Sequence, residues 1–286
     1  MPVHDELGKR MKEFYEQVPK TRLMRRCPVI IRIDGRSFHT FTRGFGRPFD
    51  DILIGAMQNT MKYLCENIQG CVLGYAQSDE ITLVLVDYKN LNSDAWFDYE
   101  VQKMCSIAAS MATMAFNKAL EEATDLAFNQ EFHDLGLDVT PAPDEEDLYN
   151  DEVEGLEEKY DKYYSKVGKA MFDARCFNIP KEEVTNCLYW RQLDATRNSI
   201  QMVGQANFSH KELHGKSCNN IQDMLMEQKG INWNDYPTYQ KRGSCCIKEN
   251  YETENGMRSR WIVDLDIPMF KGEGREYVDR FVYVGA

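Results

Sequence analysis

Apolar residues recur along the chain with two periods, and the order of those periods predicts a fold. Between Asp5 and Gln17, Leu7, Met11, Phe14 and Tyr15 fall at helical spacing and predict a short amphipathic helix. Val29 to Ile33 is nearly continuous and β-branched, as a strand covered on both faces requires, and it ends at Asp34-Gly35. Asp50–Glu66 sets Leu53, Met57, Met61 and Leu64 on one helical face. Val72–Ala76 and Ile81–Val86 read as strands joined through Gln77-Ser-Asp-Glu80, a hairpin. From Trp96 to Leu120, apolar residues return at 97, 101, 104, 108, 111, 115 and 119. That stripe predicts a long helix, and its Ala and Ser residues let it lie close to a sheet. Phe172–Ile179 is a further strand, stopped by Pro180.

Read without the segment 121–170, the order is strand, helix, strand, strand, helix, strand. This is the split βαβ, ferredoxin-like pattern of an α+β fold, with an antiparallel sheet and both helices on one face. The catalytic core expected from it covers 1–120 and 171–180. The segment 121–170 reads as an insertion, partly helical at most, with Pro141-Ala-Pro143 marking an irregular piece. Residues 181–286 read as a mostly helical region, Lys181–Phe208 and then Asn219–Gln228. Two late strands follow, Ser244–Tyr251 and Trp261–Ile267, around a turn-like Thr253–Met257. There are no internal repeats.

Composition changes this picture in two ways. With 286 residues, 43% hydrophobic and 12% aromatic, the chain can bury a substantial core, which excludes wholesale disorder. No run approaches the ~18 apolar residues of a membrane span, and the start, Met-Pro-Val-His-Asp-Glu, is polar and acidic. Nine cysteines lie scattered without a Cys-x-x-Cys pair, which fits reduced thiols and a cytoplasmic location. The net charge of −12 argues at first against a nucleic-acid partner. Its distribution reverses that argument. Residues 121–165 hold sixteen acids against Lys159 and Lys162, a balance of −14, so the other 241 residues carry about +2. Within them Lys20, Arg22, Arg25, Arg26, Arg32, Arg36, Arg43 and Arg47 face a single acid, Asp34, across the span from 20 to 47. The acidic run reads as a solvated surface excursion, with competition against RNA as the lesser option.

Candidate chemistry follows from the topology. Asp34 closes the first strand, and Asp79-Glu80 occupies the hairpin beside it. Carboxylates meeting there could share one or two divalent cations, the device by which polymerases and cyclases clamp attacking and leaving oxygens. Magnesium suits oxygen ligands completed by a bound triphosphate. Gly35 lets the backbone turn tightly, and its carbonyl could complete the shell. The N–H groups of Arg36, Ser37, Phe38 and His39 could form an anion nest. A plain structural turn at a strand end remains the alternative reading.

Several stretches together resemble the tRNA-histidine guanylyltransferase family and its like-proteins, the 3′–5′ polymerases. They are Asp5-Glu-Leu-Gly-x-Arg-Met11, Arg32-Ile-Asp-Gly-Arg-Ser-Phe38 with His39, Arg47-Pro-Phe-Asp50 and Gln77-Ser-Asp-Glu80. Trp96-Phe97, Lys103, Phe172-Asp-Ala-Arg175 and Trp190-Arg-Gln192 continue the series. The resemblance implies a polymerase-like palm, Mg2+ (two ions), ATP, GTP and other nucleoside triphosphates as substrates, tRNA as partner, and a homo-oligomer, a tetramer. It matches Asp34 and Asp79 to metal-binding carboxylates, the Gly35 backbone to a further metal contact, and Glu80 to an adjacent acid needed for activity. It matches Arg36 to His39, Arg47, Ser78 and Lys103 to positions around the triphosphate.

Where eukaryotic guanylyltransferases carry His-Ile-Asn-Asn-Leu-Tyr-Asn, this chain has Ala195-Thr-Arg-Asn-Ser-Ile-Gln201. That departure favours the branch that repairs 5′-truncated tRNA by templated addition over a dedicated histidine-tRNA enzyme. A palm-type nucleotidyl cyclase and a silent RNA-binding protein stay open as rivals. RNA contacts are expected at Arg25, Arg26, Arg175, Arg197, Asn198, Lys241 and Arg242. His210, His214 and Cys218 recur every four residues, a spacing that would allow zinc, although Gly215 interrupts the helix.

Overall fold

The computed structural model describes residues 5–138, 141, 146–254 and 256–285. Its six strands are β1 (Val29–Gly35), β2 (Cys71–Gln77), β3 (Glu80–Leu85), β4 (Phe172–Asn178), β5 (Ser244–Thr253) and β6 (Gly256–Asp264). They form one antiparallel sheet in the order β4-β1-β3-β2-β5-β6. The first four strands take the split βαβ arrangement that the sequence predicts. The two late strands add to the same sheet through β5 against β2. The helices are α1 (Glu6–Met11), α2 (Phe38–Phe41), α3 (Asp51–Asn67), α4 (Val101–Asp134) and α5 (Glu146–Tyr164), then α6 (Lys181–Asn207), α7 (His210–Leu213), α8 (Cys218–Lys229), α9 (Thr238–Arg242) and α10 (Glu276–Val282).

Strand alternation divides the interior. Val29, Ile31 and Ile33 point to one face, where Met57, Met61 and Leu64 of α3 and Met104, Ala108 and Ala112 of α4 meet them. Ile30, Val84, Leu73 and Tyr75 point to the other, under Val184 and Leu188 of α6 and Val278 and Val282 of α10. Each such fully buried Ile or Leu contributes about 2 kcal/mol, so β1 is held from both sides. Asp50 caps α3 by accepting the Leu53 N–H at 2.9 Å, and also accepts Gly46 N–H and the Tyr163 hydroxyl, both at 2.6 Å.

Three expectations need correction. The long helix does not begin at Trp96: Trp96–Tyr99 is a 3₁₀ turn with positive φ at Phe97, Asp98 and Tyr99, and α4 starts at Val101. The acidic segment is a packed helical hairpin, since α4 runs on to Asp134 and α5 returns along it. Charge hid a continuing stripe. Phe128 on α4 stacks with Phe132 and meets Tyr160 and Tyr164 on α5, and Leu156, Tyr160 and Tyr163 are buried. Lys159 and Tyr160 both bind Glu131, at 2.6 and 3.0 Å, so part of the charge is spent inside the hairpin. Ala142 and Pro143, expected to be irregular, lie outside the described residues. The last strand runs Gly256–Asp264 rather than Trp261–Ile267, because Thr253 already pairs with Gly256 across a tight turn. Asn255 of that turn lies outside the described residues.

Candidate active site

The site grows from the end of β1. Asp34 pairs in register with Glu80 of β3 on one side and Asp173 of β4 on the other. Cross-strand partners point to the same face, so three carboxylates stand side by side on the face that α6 covers. The Gly35 N–H donates to the Asp79 carbonyl at 3.0 Å, which fixes the hairpin turn against the strand end. Ser78 takes a φ of 51°, a left-handed conformation that non-glycine residues rarely adopt. A Cβ at Gly35 would lie 2.3 Å from the Phe38 ring, so only glycine lets that ring close beneath the strand end.

Asp79 and Glu80 are adjacent in sequence and opposite in circumstance. Burial pushes the Asp79 carboxyl above its usual range, and the charge of Asp34 pushes it further, against the pull of its own backbone N–H and the Ser78 hydroxyl. Among the described residues no salt bridge engages Asp34 or Asp79. Glu80 is also pushed up by burial, but cations oppose the shift. Its Oε1 accepts Arg191 Nε at 2.7 Å, and its Oε2 lies 3.8 Å from Arg32 Nε. Arg191 then donates to Asp194 at 3.0 Å, and Asp194 accepts Arg197. Burial works against the charge of Arg191, yet Glu80 and Asp194 outweigh it and hold the group protonated. Trp190 is flanked by the guanidinium groups of Arg32 and Arg191, 5.6 and 4.7 Å from its ring centroid.

The structure brings some expected residues to this site and not others. Arg36 lies beside it, but its N–H is already donated to the Met171 carbonyl at 2.8 Å. Ser37 and His39 are exposed there, at the start of α2, where first-turn N–H groups have no intrahelical acceptor. Phe38 is buried against Phe41, Phe116 and Phe172, so only its backbone can face a ligand. Asn198 joins Gln77 and Ser78 around a cavity of ≈ 90 Å³. Arg175 is adjacent, bound to Asp173 at 2.8 Å.

Arg47 sits elsewhere, in a cavity of ≈ 500 Å³ with Gln201, Gln205, His210, His214 and Lys216. Lys103 is on the α4 side, two residues before Cys105, whose thiol lies 3.5 Å from Cys176, and its ammonium is 4.6 Å from the Phe97 ring centroid. Cys176 pairs with Ile31, three residues or roughly 10 Å up β1 from Asp34. Arg25 and Arg26 are farther still, at the opposite end of the sheet. Buried Asp87 accepts Arg25 Nε and the Arg26 N–H, each at 2.9 Å. Lys241 donates to the Asn234 carbonyl, and Arg242 to Ile267 at 3.3 Å. His210, His214 and Cys218 do not share a helix face, because α7 ends at Leu213 and Gly215 turns at a φ of +72°.

Sequence reasoning missed Arg191 and Asp173. Trp190-Arg-Gln192 offered only Asp194 as a nearby charge partner in sequence, while Glu80, the partner that ties Arg191 to the site, lies 111 residues away. Asp173 could have been found: β4 flanks β1 in the split βαβ order, and Phe172-Asp-Ala-Arg175 alternates inward and outward residues. Among the described residues no three His, Cys, Asp or Glu side chains converge to hold an ion by themselves. Asp34 and Asp79 supply oxygen donors and mutual repulsion, which suits a hard cation completed by substrate phosphates.

Known proteins resemble this chain along most of its length. The family model described as tRNAHis guanylyltransferase matches residues 8–180. A solved bacterial Thg1-like protein in complex with ATP is 41% identical, with a TM-score of 0.76, over 98% of this chain and 100% of its own. A bacterial Thg1-like structure in complex with GTP is 39% identical, with a TM-score of 0.72, over the same shares. A probable tRNAHis guanylyltransferase of Dictyostelium discoideum is 25% identical over 246 residues, 82% of this chain and 80% of that protein. This chain belongs to the tRNAHis guanylyltransferase (Thg1) family and is a nucleotidyltransferase of palm-like fold.

Proposed function

We propose that this protein is a magnesium-dependent 3′–5′ polymerase that repairs the 5′ end of truncated tRNA, with the opposite strand as template. The observation that carries the reading is the meeting of Asp34 and Asp79 at a strand end and hairpin, two carboxylates that no salt bridge engages among the described residues. Magnesium bound there would lower the pKa of a hydroxyl and neutralise charge on the reacting phosphate. The 3′-hydroxyl of an incoming nucleoside triphosphate attacks the phosphorus of an activated 5′ end. The new phosphodiester bond forms as AMP or pyrophosphate leaves and the hydroxyl proton passes to solvent, and the incoming triphosphate becomes the new 5′ end. ATP and GTP, bound by the bacterial relatives, are the activating and added nucleotides in this reading.

Within it, 1–120 and 171–180 do the chemistry, 121–170 is an insertion, and 181–286 faces RNA. The cationic cavity of Arg47, His210, His214 and Lys216 takes a phosphate. The protein works in the cytoplasm as a homo-oligomer, a tetramer by family likeness.

Template choice follows from what the site lacks. Carboxylates that hold ion and triphosphate do not identify a base. Ala195 and Asn198 line the cavity beside Gln77 and Ser78, where the eukaryotic motif would begin with histidine. A mismatched base would leave donors and acceptors unpaired at about 1–3 kcal/mol each, enough for pairing to select. The test adds each of four nucleotides to truncated tRNAs whose opposing base is varied in turn. Incorporation should follow the opposing base. Guanosine entering against every base, or acceptance of histidine tRNA alone, replaces this reading with the dedicated guanylyltransferase. A cyclic nucleotide formed from GTP without RNA would favour the cyclase.

A further inference from the structure

We infer that a groove at the sheet end remote from Asp34 and Asp79 holds an unpaired nucleotide of the RNA substrate. This rests on the tRNA-acting reading above. The groove encloses ≈ 580 Å³, within the range of sites that take a nucleotide-sized ligand. It lies where β2 begins and β3 ends, closed by the loop from Lys89 to Asp94 and by β5 and β6. Cys71 on its wall and Gln77 at the catalytic hairpin are six residues apart on β2, roughly 20 Å. An RNA already engaged at its 5′ end can therefore reach it with a second segment.

The lining names the ligand class. Trp261 is half-buried on the wall, and Lys248 stands directly across from it in the β5–β6 register, 5.9 Å from its ring centroid. Lys248 and Lys89 form no hydrogen bond or ion pair among the described residues. Around them stand four side-chain amides, of Gln69, Asn90, Asn92 and Asn250. The single acid, Asp94, is at the rim, 3.6 Å from the Arg25 guanidinium. A flat indole stacks a base once the Lys248 ammonium moves from over its ring to a phosphate, amides pair with the donors and acceptors of a base edge, and Lys89 supplies a second ammonium. A double helix offers neither an open base face nor an accessible edge here, and phosphate contact alone would call for a row of cations. An unpaired nucleotide uses the indole, the amides and both lysines.

The test separates the chemistry from the holding. The double variant Lys89→Ala/Lys248→Ala changes exposed side chains, and Trp261→Leu removes the stacking plane. Dissociation constants for a 5′-truncated tRNA transcript should rise about tenfold in each. Addition at saturating tRNA, and the KM for the added nucleotide, should stay within twofold. A transcript carrying 5-iodouracil in its unpaired positions should photocrosslink to Trp261. Thermal melting accompanies Trp261→Leu, whose indole touches the core; if it unfolds, the lysine pair and the crosslink decide. Unchanged tRNA affinity in the lysine pair, with no crosslink between 248 and 261, overturns the inference. So does magnesium-free GTP binding that the lysine pair loses while tRNA affinity holds, because the groove then takes a free nucleotide. Failure of nucleotide addition by the unaltered protein would instead reject the parent reading, and tRNA binding would still report on the groove.

Discussion

The two ends of the central sheet both carry a concentration of charge, and they use it oppositely. At the far end, Asp87 is completely buried and accepts both the Arg25 guanidinium and the Arg26 backbone, while Asp98 takes Arg22 at 2.7 Å and Arg25 at 3.1 Å. That charge is spent on closing the loop after β3 over the start of β1. At the near end, Asp34 and Asp79 repel one another, and among the described residues no salt bridge engages either; only the more distant charge of Arg191 eases Asp79. Glu80, one residue on, is already paired with Arg191 and behaves like the far end. Charge that a fold has neutralised builds structure. Charge left opposed at a rigid strand end is available for chemistry.

The largest effect expected is on turnover. Asp34→Asn or Asp79→Asn should lower nucleotide addition on the order of a thousandfold, since each amide keeps the shape and loses a cation ligand. Thermal melting should not fall in either. Near-normal addition by a folded Asp79→Asn variant would break the contrast at its chemical end. Glu80 should separate cleanly from its neighbour. Glu80→Ala leaves Arg191 with Asp194 as its remaining ion-pair partner and should cost about 1–3 kcal/mol of folding stability in denaturant titration. In the double variant with Arg191→Ala, the combined loss should be clearly less than the sum of the two. Additive losses would mean that the pair does not join α6 to the sheet.

Much of this was legible in the sequence because periodicity reports burial directly. β1, α3, the β2–β3 hairpin and β4 lie where their apolar patterns put them, and the split βαβ order then sets Asp34 beside the hairpin. Partnership was not legible. Arg25 and Arg26 are expected RNA contacts, and what the sequence does not show is Asp87 beneath them, 61 residues away for the closest hydrogen bond. Lys103 matches a motif, yet its helix packs on the face of the sheet turned away from Asp34. The acidic hairpin hid its Phe128, Tyr160 and Tyr163 stripe among carboxylates, because one face of an amphipathic helix can be apolar whatever the average composition.

A smaller effect tests the far end. Asp87→Ala removes the buried acceptor of the Arg26 N–H and the Arg25 guanidinium and should cost about 1 kcal/mol in stability. Arg25→Ala should lower the melting temperature as well, and should leave the slope of tRNA affinity against salt concentration unchanged. A slope reduced by about one on the logarithmic scale would mean that Arg25 contacts a phosphate, and the far end would lose its purely structural character.

The smallest effect is the most diagnostic of opposed charge. Burial and Asp34 make Asp79 keep its proton to higher pH than a free carboxyl does. The unfolded chain releases that proton at ordinary carboxylate pH. Between those two values the folded state binds more protons, so the contribution of Asp79 to stability is greatest below the window and is lost as pH rises through it. Glu80 shifts in the same direction, so the wild-type curve has two contributors. Asp79→Asn isolates one of them. Without magnesium, the variant and the wild type should melt alike below the window, and the variant should gain a small advantage above it. In the proposed reaction, magnesium would bind only the ionised pair. Raising its concentration should therefore move the acid limb of nucleotide addition to lower pH and narrow the advantage of the variant. An acid limb that ignores magnesium would place the titrating group elsewhere.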